Sequence, residues 1–408
     1  MNRGSLPLGF TVATLLLVLQ ACGGEAGPDG PGDVAVTDSA GIRIVDNTGD
    51  GVWSDGESWG VDEIFRVGGI DAETDAMFGQ IISVDVDDRG RVFVADQQAR
   101  RVSVFDADGA LLSTVGQPGS GPGEIGPMFM GMFERGGEVW TIDPGSQGIQ
   151  KFSPDGEFLG ATPFDIMGGV PIRMDEVGTA VVAQRRSMEM DGSLGARGDA
   201  VTTIGVDTAD TLMVLPAGES VTLQGGMPEF NFFAPEPLWD AAADGSTVRG
   251  MNNAFRFEIR DPSGELTRIV MRNVDAQPVT EQAQRAVLDA VREQMVQAGA
   301  PEQMVQPIID QATFAETFPP VAQVLLEVDG HLWVQRTGAL SDVAEDEALD
   351  LQDLGSPLWD VFDPEGVFLG QIELPGRFQP LRMIDGVLWG LDRDDLDVSS
   401  VVGMRVVR

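Results

Sequence analysis

The chain has 408 residues, with 65 acidic against 26 basic side chains, a formal charge of −39, one histidine, one cysteine and no tyrosine. With no basic stripe to displace counterions from phosphates, this charge balance excludes nucleic acid as a partner held by charge. A lone cysteine also leaves no partner for a disulfide within the chain.

The chain opens with Arg3, an apolar run from Leu6 to Leu19, and the tetrapeptide Leu19-Gln20-Ala21-Cys22. A basic start, an apolar run and a small-residue end predict a signal peptide over 1–21 that is removed. The run is broken by Pro7 and Gly9 and falls short of the ~20 apolar residues of a membrane span. The tetrapeptide resembles the bacterial lipobox, which implies that Cys22 becomes the first residue and carries the lipid. Two or three acyl chains at ~0.8 kcal/mol per buried CH₂ anchor a protein durably. Residues 22–40 are rich in Gly, Pro and Asp and predict a flexible tether, leaving 41–408 for the folded domain.

The folded part repeats one unit. Ser83 to Gly116, "SVDVDDRGRVFVADQQARRVSVFDADGALLSTVG", holds four short β-branched or aromatic runs separated by Asp, Gly and Gln turns. Gly131 to Phe164 repeats the order, and Asn253 to Arg272 and Pro357 to Pro375 repeat its second half around an Asp-Pro-x-Gly turn. Period two rather than 3.6 favours small sheets arranged radially over a helical solenoid. First strands are expected near Ile81, Met128, Val170, Leu238, Val321 and Leu381. The fold class is therefore all-β, a six-bladed β-propeller of four-stranded antiparallel blades. The last unit has three strands before the chain ends, and "EIFRVGG" (63–69) reads as the missing fourth, so an N-terminal strand closes the ring. "GIRIVDN" (41–47) is expected on an outer edge. Residues 278–314 read instead as a short α-helical insertion, with Thr280 as cap and Gly299 as stop.

Phe78 to Met128 resembles the NHL-repeat unit in its Ala-Asp strand end, Arg-x-x-Val-Phe strand and Gly-x-Gly-Pro-Gly-Glu link. From about Asp38 onward the chain is similar to the bacterial six-bladed β-propeller proteins of unknown function, NHL-like or TolB-like, many of them exported. The matching residues are turn and packing residues, so the resemblance implies architecture and little about activity.

Candidate chemistry is sparse. His331 stands alone beside a turn, and neither "DVDDRG" (85–90), "DADG" (106–109) nor "DRDDLD" (392–397) has the ligand ladder of a calcium loop. "GQPGSGPGEIGP" (116–127) lacks the Gly-Lys-Ser/Thr of a phosphate loop, Arg197-Gly198-Asp199 is a chance-length match to an adhesion tripeptide, and no Gly-x-Ser-x-Gly occurs. No catalytic residue, metal ligand or cofactor is assigned. The most apolar loop, "PEFNFFAPEPLW", offers Phe230, Phe232, Phe233 and Trp239 for recognition or for core packing. The expected protein is a lipid-anchored, extracytoplasmic binding or scaffold module on the membrane, with an envelope protein or a small ligand as partner. The alternative, implied by resemblance to gluconolactonase-type propellers, is a lactonase-like hydrolase with a carboxylate-held metal in the channel.

Overall fold

The computed structural model describes residues 34–54, 56–70, 72, 76–145, 148–164, 169–188, 194–206, 209–224, 227–297, 299–338, 355–394 and 396–408. Six antiparallel sheets follow one another as blades, each with its innermost strand first in sequence. Blade 1 comprises Ile81–Val86, Val92–Asp96, Arg101–Phe105 and Leu111–Val115. Blade 2 comprises Gly131–Arg135, Glu138–Asp143, Gly148–Phe152 and Phe158–Thr162. Blade 3 runs through Val170–Val177, Ala180–Met188, Leu194–Thr203 and Thr211–Leu215, with register shifts between all three strand pairs. Blade 4 is Pro237–Ala241, Thr247–Met251, Arg256–Arg260 and Leu266–Arg272. Blade 5 is Val321–Leu326, Leu332–Thr337, Gly355–Phe362 and Phe368–Glu373.

Blade 6 has only three strands from the C-terminal end, Phe378–Ile384, Val387–Arg393 and Ser399–Val407. The N-terminal strand Gly60–Gly68 completes it, pairing antiparallel from Val407↔Gly60 to Ser400↔Gly68. The protein is a six-bladed β-propeller with the closure expected from the sequence, and the ring leaves no open edge between first and last blades.

One boundary differs from expectation. Val34–Ser39, inside the stretch read as tether, is a strand that pairs with Ile42–Asn47, so the propeller begins at Val34 rather than at residue 41. Val, Ala and Thr alternate there, and the turn at Ala40 and Gly41 takes φ of 55° and 83°, the paired left-handed geometry of a tight hairpin. Ile42–Asn47 then lies parallel to Leu266–Arg272 and widens blade 4 to six strands. Asn47 fastens this hairpin to blade 5: its Nδ2 donates to Gly366 O at 3.0 Å and its Oδ1 accepts from Phe368 N at 2.8 Å.

The core is a ring of six apolar clusters, one between each pair of neighbouring blades. Phe93, Val104, Met132 and Phe152 lie between blades 1 and 2; Leu325, Trp333, Trp359, Leu388 and Val402 lie between blades 5 and 6. Full burial of each such side chain contributes about 1.5–3 kcal/mol. The rim turns lock the blades further. Gly156, at φ +90° in blade 2, sits so close to blade 1 that a Cβ would meet Thr114 O at 2.8 Å, and Ser113 Oγ donates to Pro154 O at 2.5 Å across the same seam.

Between blades 4 and 5 the chain forms two helices, α1 (Glu281–Gln297) and α2 (Glu302–Gln311), with Thr280 Oγ1 accepting from Ala283 N at 3.2 Å as the expected cap. A small sheet of Val221–Gln224, Met227–Phe232 and Thr313–Phe314 ties this insertion to the link before blade 4. Among the described residues, no helix is long and apolar enough to cross a membrane.

Candidate functional site

The innermost strands converge on the ring axis and end together on one face, and there the alternating pattern turns acidic. Val84-Asp85-Val86, Phe133-Glu134, Asp175-Glu176 and Trp239-Asp240 each place a large apolar residue or a second acid beside a carboxylate at the strand end. These ends enclose a cavity of about 470 Å³ to which every blade contributes: Asp85, Glu134, Glu176, Asp240, Glu327 and Arg382 from blades 1 to 6 in turn.

Most of these charges are held in place by neighbours. Arg382, from blade 6, reaches Asp85 Oδ1 at 3.3 Å on one side and Glu176 Oε2 at 3.2 Å on the other. Arg135 of blade 2 approaches Glu176 Oε1 at 3.5 Å. Arg173 pairs with Asp175 and with Asp240 at 3.1 Å, and its guanidinium lies 4.7 Å from the Trp239 ring centre. Two of the carboxylates also join neighbouring blades through the backbone: Asp85 Oδ2 accepts from Glu134 N and Asp240 Oδ2 from Leu326 N, both at 2.8 Å.

This environment shifts the acids. Burial and the charge of Asp85 push Glu176 up to about 7, against the pull of Arg382 and Arg135. Asp240 is pushed up to about 6 by burial, which Arg173 offsets only in part while Asp175 adds to it. Glu134 is raised as well, chiefly by burial. The mouth is therefore a rigid, acid-rich surface in which part of the negative charge switches near neutral pH.

At the cavity's edge, Glu327, Asp329 and His331 form the one group of metal-capable side chains found among the described residues, with ligand atoms within 4.8 Å of one another. Arg408 already supplies a cation there, at 2.6 Å from Glu327 Oε2 and 2.5 Å from Asp329 Oδ2. Glu327 Oε1 accepts from Trp333 Nε1 at 2.6 Å, and His331 Nδ1 lies 2.7 Å from Asp329 Oδ1. Burial pushes Asp329 up, but its bonds to Arg408 and His331 outweigh that and hold it at about 2. Trp59 covers the group, 4.6 Å from the guanidinium of Arg408 and 5.1 Å from the imidazole. The cluster works as an internal ion pair that seals blade 5 to blade 6.

Cys22 and the lipobox residues Leu19, Gln20 and Ala21 lie outside the described residues. Trp239 is not on a loop: it belongs to the innermost strand of blade 4, is 2% exposed and donates from Nε1 to Gln184 Oε1 at 2.7 Å. An indole flanked by strand residues and supplied with a buried acceptor packs inward. Phe230 and Phe232 stack 6.1 Å apart, Phe232 meets Phe314 at 5.3 Å, and Phe233 meets Phe318 at 4.7 Å, so these rings join the insertion to the link before blade 4. All three are half-buried.

The other motifs resolve into turn and packing chemistry. Asp106 Oδ1 accepts from Asp108 N and Ala110 N, and Asp394 Oδ1 from Leu396 N and Val398 N. In the link 116–127, Glu124 accepts from Ser120 N and Gly121 N, which lowers its pKa and puts the chain's own carboxylate where an anion would sit. Asp199 is buried against Arg186 inside blade 3. The sequence reading missed Asp85, Glu176, Asp240, Arg173 and Arg382 as a group. A signal did exist: Asp85 and Asp240 each stand five residues before the glycine of the turn closing the inner hairpin, Gly90 and Gly245.

The class of protein defined by this ring is a six-bladed β-propeller with an acidic channel mouth. Residues 46–168 match the model of a family described as 6-bladed beta-propeller. Among solved structures, the chain is similar to an exported protein of Bacteroides fragilis named as putative (11% identity, 90% of this chain and 100% of that one, TM-score 0.49). It is also similar to a DUF4221-family protein of Bacteroides vulgatus (7%, 85% and 98%, 0.48) and to virginiamycin B lyase of Staphylococcus aureus (12%, 85% and 99%, 0.40). No curated protein matches the chain. Identities this low leave activity and partners to be argued from the chain's own residues.

Proposed function

We propose that this propeller is a binding module, held outside the cytoplasm by a lipid on Cys22, and that the channel mouth is its recognition surface for cationic groups of a small ligand or an envelope protein. The observation that carries the reading is the cavity of about 470 Å³ to which all six blades contribute carboxylates that outnumber the arginines among them. An excess of one sign of charge in a recess focuses the field on an incoming ion and selects against like charge. Carboxylates already tied to backbone and guanidinium groups suit recognition, since they hold their geometry before the ligand arrives. A lactonase-like hydrolase with a channel metal is the weaker reading, because the one metal-capable group among the described residues is paired with Arg408.

Titration calorimetry with spermidine and with an arginyl-arginine amide, against glutarate as the anionic comparator, tests the binding reading. Saturable binding of the cationic probes alone is expected, and binding of glutarate in preference would contradict it. The anchor is tested separately: Cys22→Ala is expected to move the protein from the membrane fraction to the soluble fraction or to an uncleaved precursor. Unchanged acyl labelling in that variant would remove the lipid from the account.

A further inference from the structure

Arg382 and Glu176 belong to blades 6 and 3, which stand opposite each other in a ring of six, and their side chains meet at 3.2 Å. Every other ion pair at the mouth joins neighbouring blades or residues of one blade, so this contact alone spans the axis among the described residues. Backbone convergence does not require it: the two strands are 206 residues apart in sequence and share no hydrogen-bonded edge. We infer that Arg382 and Glu176 form a stopper across the channel mouth, which protonation of Glu176 releases. This rests on the mouth being the binding surface, and it adds how that surface is regulated.

The groups around Glu176 give the device its direction. From blade 1, Asp85 shares the guanidinium of Arg382 at 3.3 Å, so two carboxylates compete for one cation. From blade 2, Arg135 approaches Glu176 at 3.5 Å, while Glu134 lies on the cavity wall. On its own strand, Asp175 is turned to Arg173, which is shared with Asp240 of blade 4. Blade 5 contributes Glu327, paired with Arg408. Asp85 accepts two backbone N–H groups, from Val86 and Glu134, whereas among the described residues Glu176 accepts only from the guanidinium groups of Arg135 and Arg382. Backbone N–H donors favour the charged form of a carboxylate, and Glu176 is without that support. Burial raises Glu176 to about 7, which places that event near neutral pH. Once it is neutral, Arg382 keeps its pair with Asp85 and loses the far side of the channel.

The guanidinium itself can be read. Phenylglyoxal modification of the intact protein, followed by mass spectrometry of the peptides, gives the reactivity of Arg382 relative to the exposed Arg89, and the ratio cancels the reagent's own pH dependence. The ratio is expected to rise several-fold from pH 8.5 to pH 6 in the parent, and to stay high at both in Glu176→Gln. A ratio that is flat in the parent overturns the proposal without any variant, and so does an unchanged pH step in Glu176→Gln. No ligand enters this measurement, so failure of the cationic probes to bind would count against the binding surface and leave the stopper standing.

Discussion

Blades 1 and 3 solve the same packing problem by different means. Blade 1 meets blade 2 through Phe93, Val115, Phe129, Met132 and Phe152, all fully buried, and its strands pair with a register shift only in the first and last pairs. Blade 3 meets blade 4 through Val182, Val201, Leu215 and Trp239, a smaller apolar set among the described residues. The remainder of that seam is polar: Arg186 bridges Asp199 at 3.0 Å and Glu236 at 2.8 Å, and Gln184 joins Asp199 at 2.6 Å to Trp239 at 2.7 Å. An apolar seam contributes stability by area and tolerates pH, whereas a buried ionic seam depends on every partner being present. Blade 3 also carries Arg173 and Glu176 at the channel mouth, so its polar seam continues into the charged axis.

The largest effect should come from opening the ring. Removing residues 38–69 deletes the strand Gly60–Gly68 and most of the outer hairpin, and exposes the edge of Ser399–Val407. Aggregation or loss of a cooperative melt is expected; a deletion protein that melts like the parent would mean that closure does not depend on this strand. Next, Phe105→Ala, in the equally apolar seam of blade 1 with blade 6, should cost about 3–5 kcal/mol in denaturant unfolding. Asp199→Ala in blade 3 should cost a similar amount, about 3–5 kcal/mol, by leaving Arg186 and Gln184 without their buried acceptor. The two differ in repair: Phe105→Leu should recover much of the loss, while Asp199→Leu should recover little because the cation stays buried.

A smaller effect separates the regions by pH. Glu176 rises from 4.5 to about 7 and Asp240 from 3.8 to about 6, so the folded state holds these protons more tightly than the unfolded chain. Their contribution to stability is therefore present at low pH and is lost as pH rises through the window from about 4 to 7. Asp329, lowered to about 2, acts in the opposite sense: its contribution is present above pH 3.8 and is lost as pH falls toward 2. Melting curves of Glu176→Gln should lose the upper part of the first window, a change of a few degrees. Unaltered pH dependence would place that titration elsewhere. The smallest expected effect is that of Phe232→Ser with Phe233→Ser, which should loosen the helical insertion and lower the melting temperature slightly without changing channel binding.

Blade 1 was legible in the sequence because its turns and strands each carry local signals, Asp-x-x-Gly turns between alternating apolar runs. The six blade positions and the closing strand follow from the same periodicity. The strand Val34–Ser39 was hidden by the surrounding Gly, Pro and Asp, although its own residues alternate. The sequence leaves Trp239 and the phenylalanines between recognition and core packing because apolar composition does not tell which side of a strand faces inward. The channel mouth was legible only in part. An acid before each turn glycine can be read from one hairpin, but Arg382 meeting Glu176 depends on two blades lying opposite each other, which no local pattern records.

The central claim, that the acidic mouth and not the acidic surface at large recognises the ligand, is tested most directly by one pair of variants in spermidine titration. Glu134→Gln removes a carboxylate from the cavity wall, and Asp108→Asn removes one from an exposed rim turn of blade 1. The account predicts that Glu134→Gln weakens binding several-fold while Asp108→Asn leaves it as in the parent. Equal weakening by both would show binding to diffuse surface charge and would contradict a site at the channel mouth.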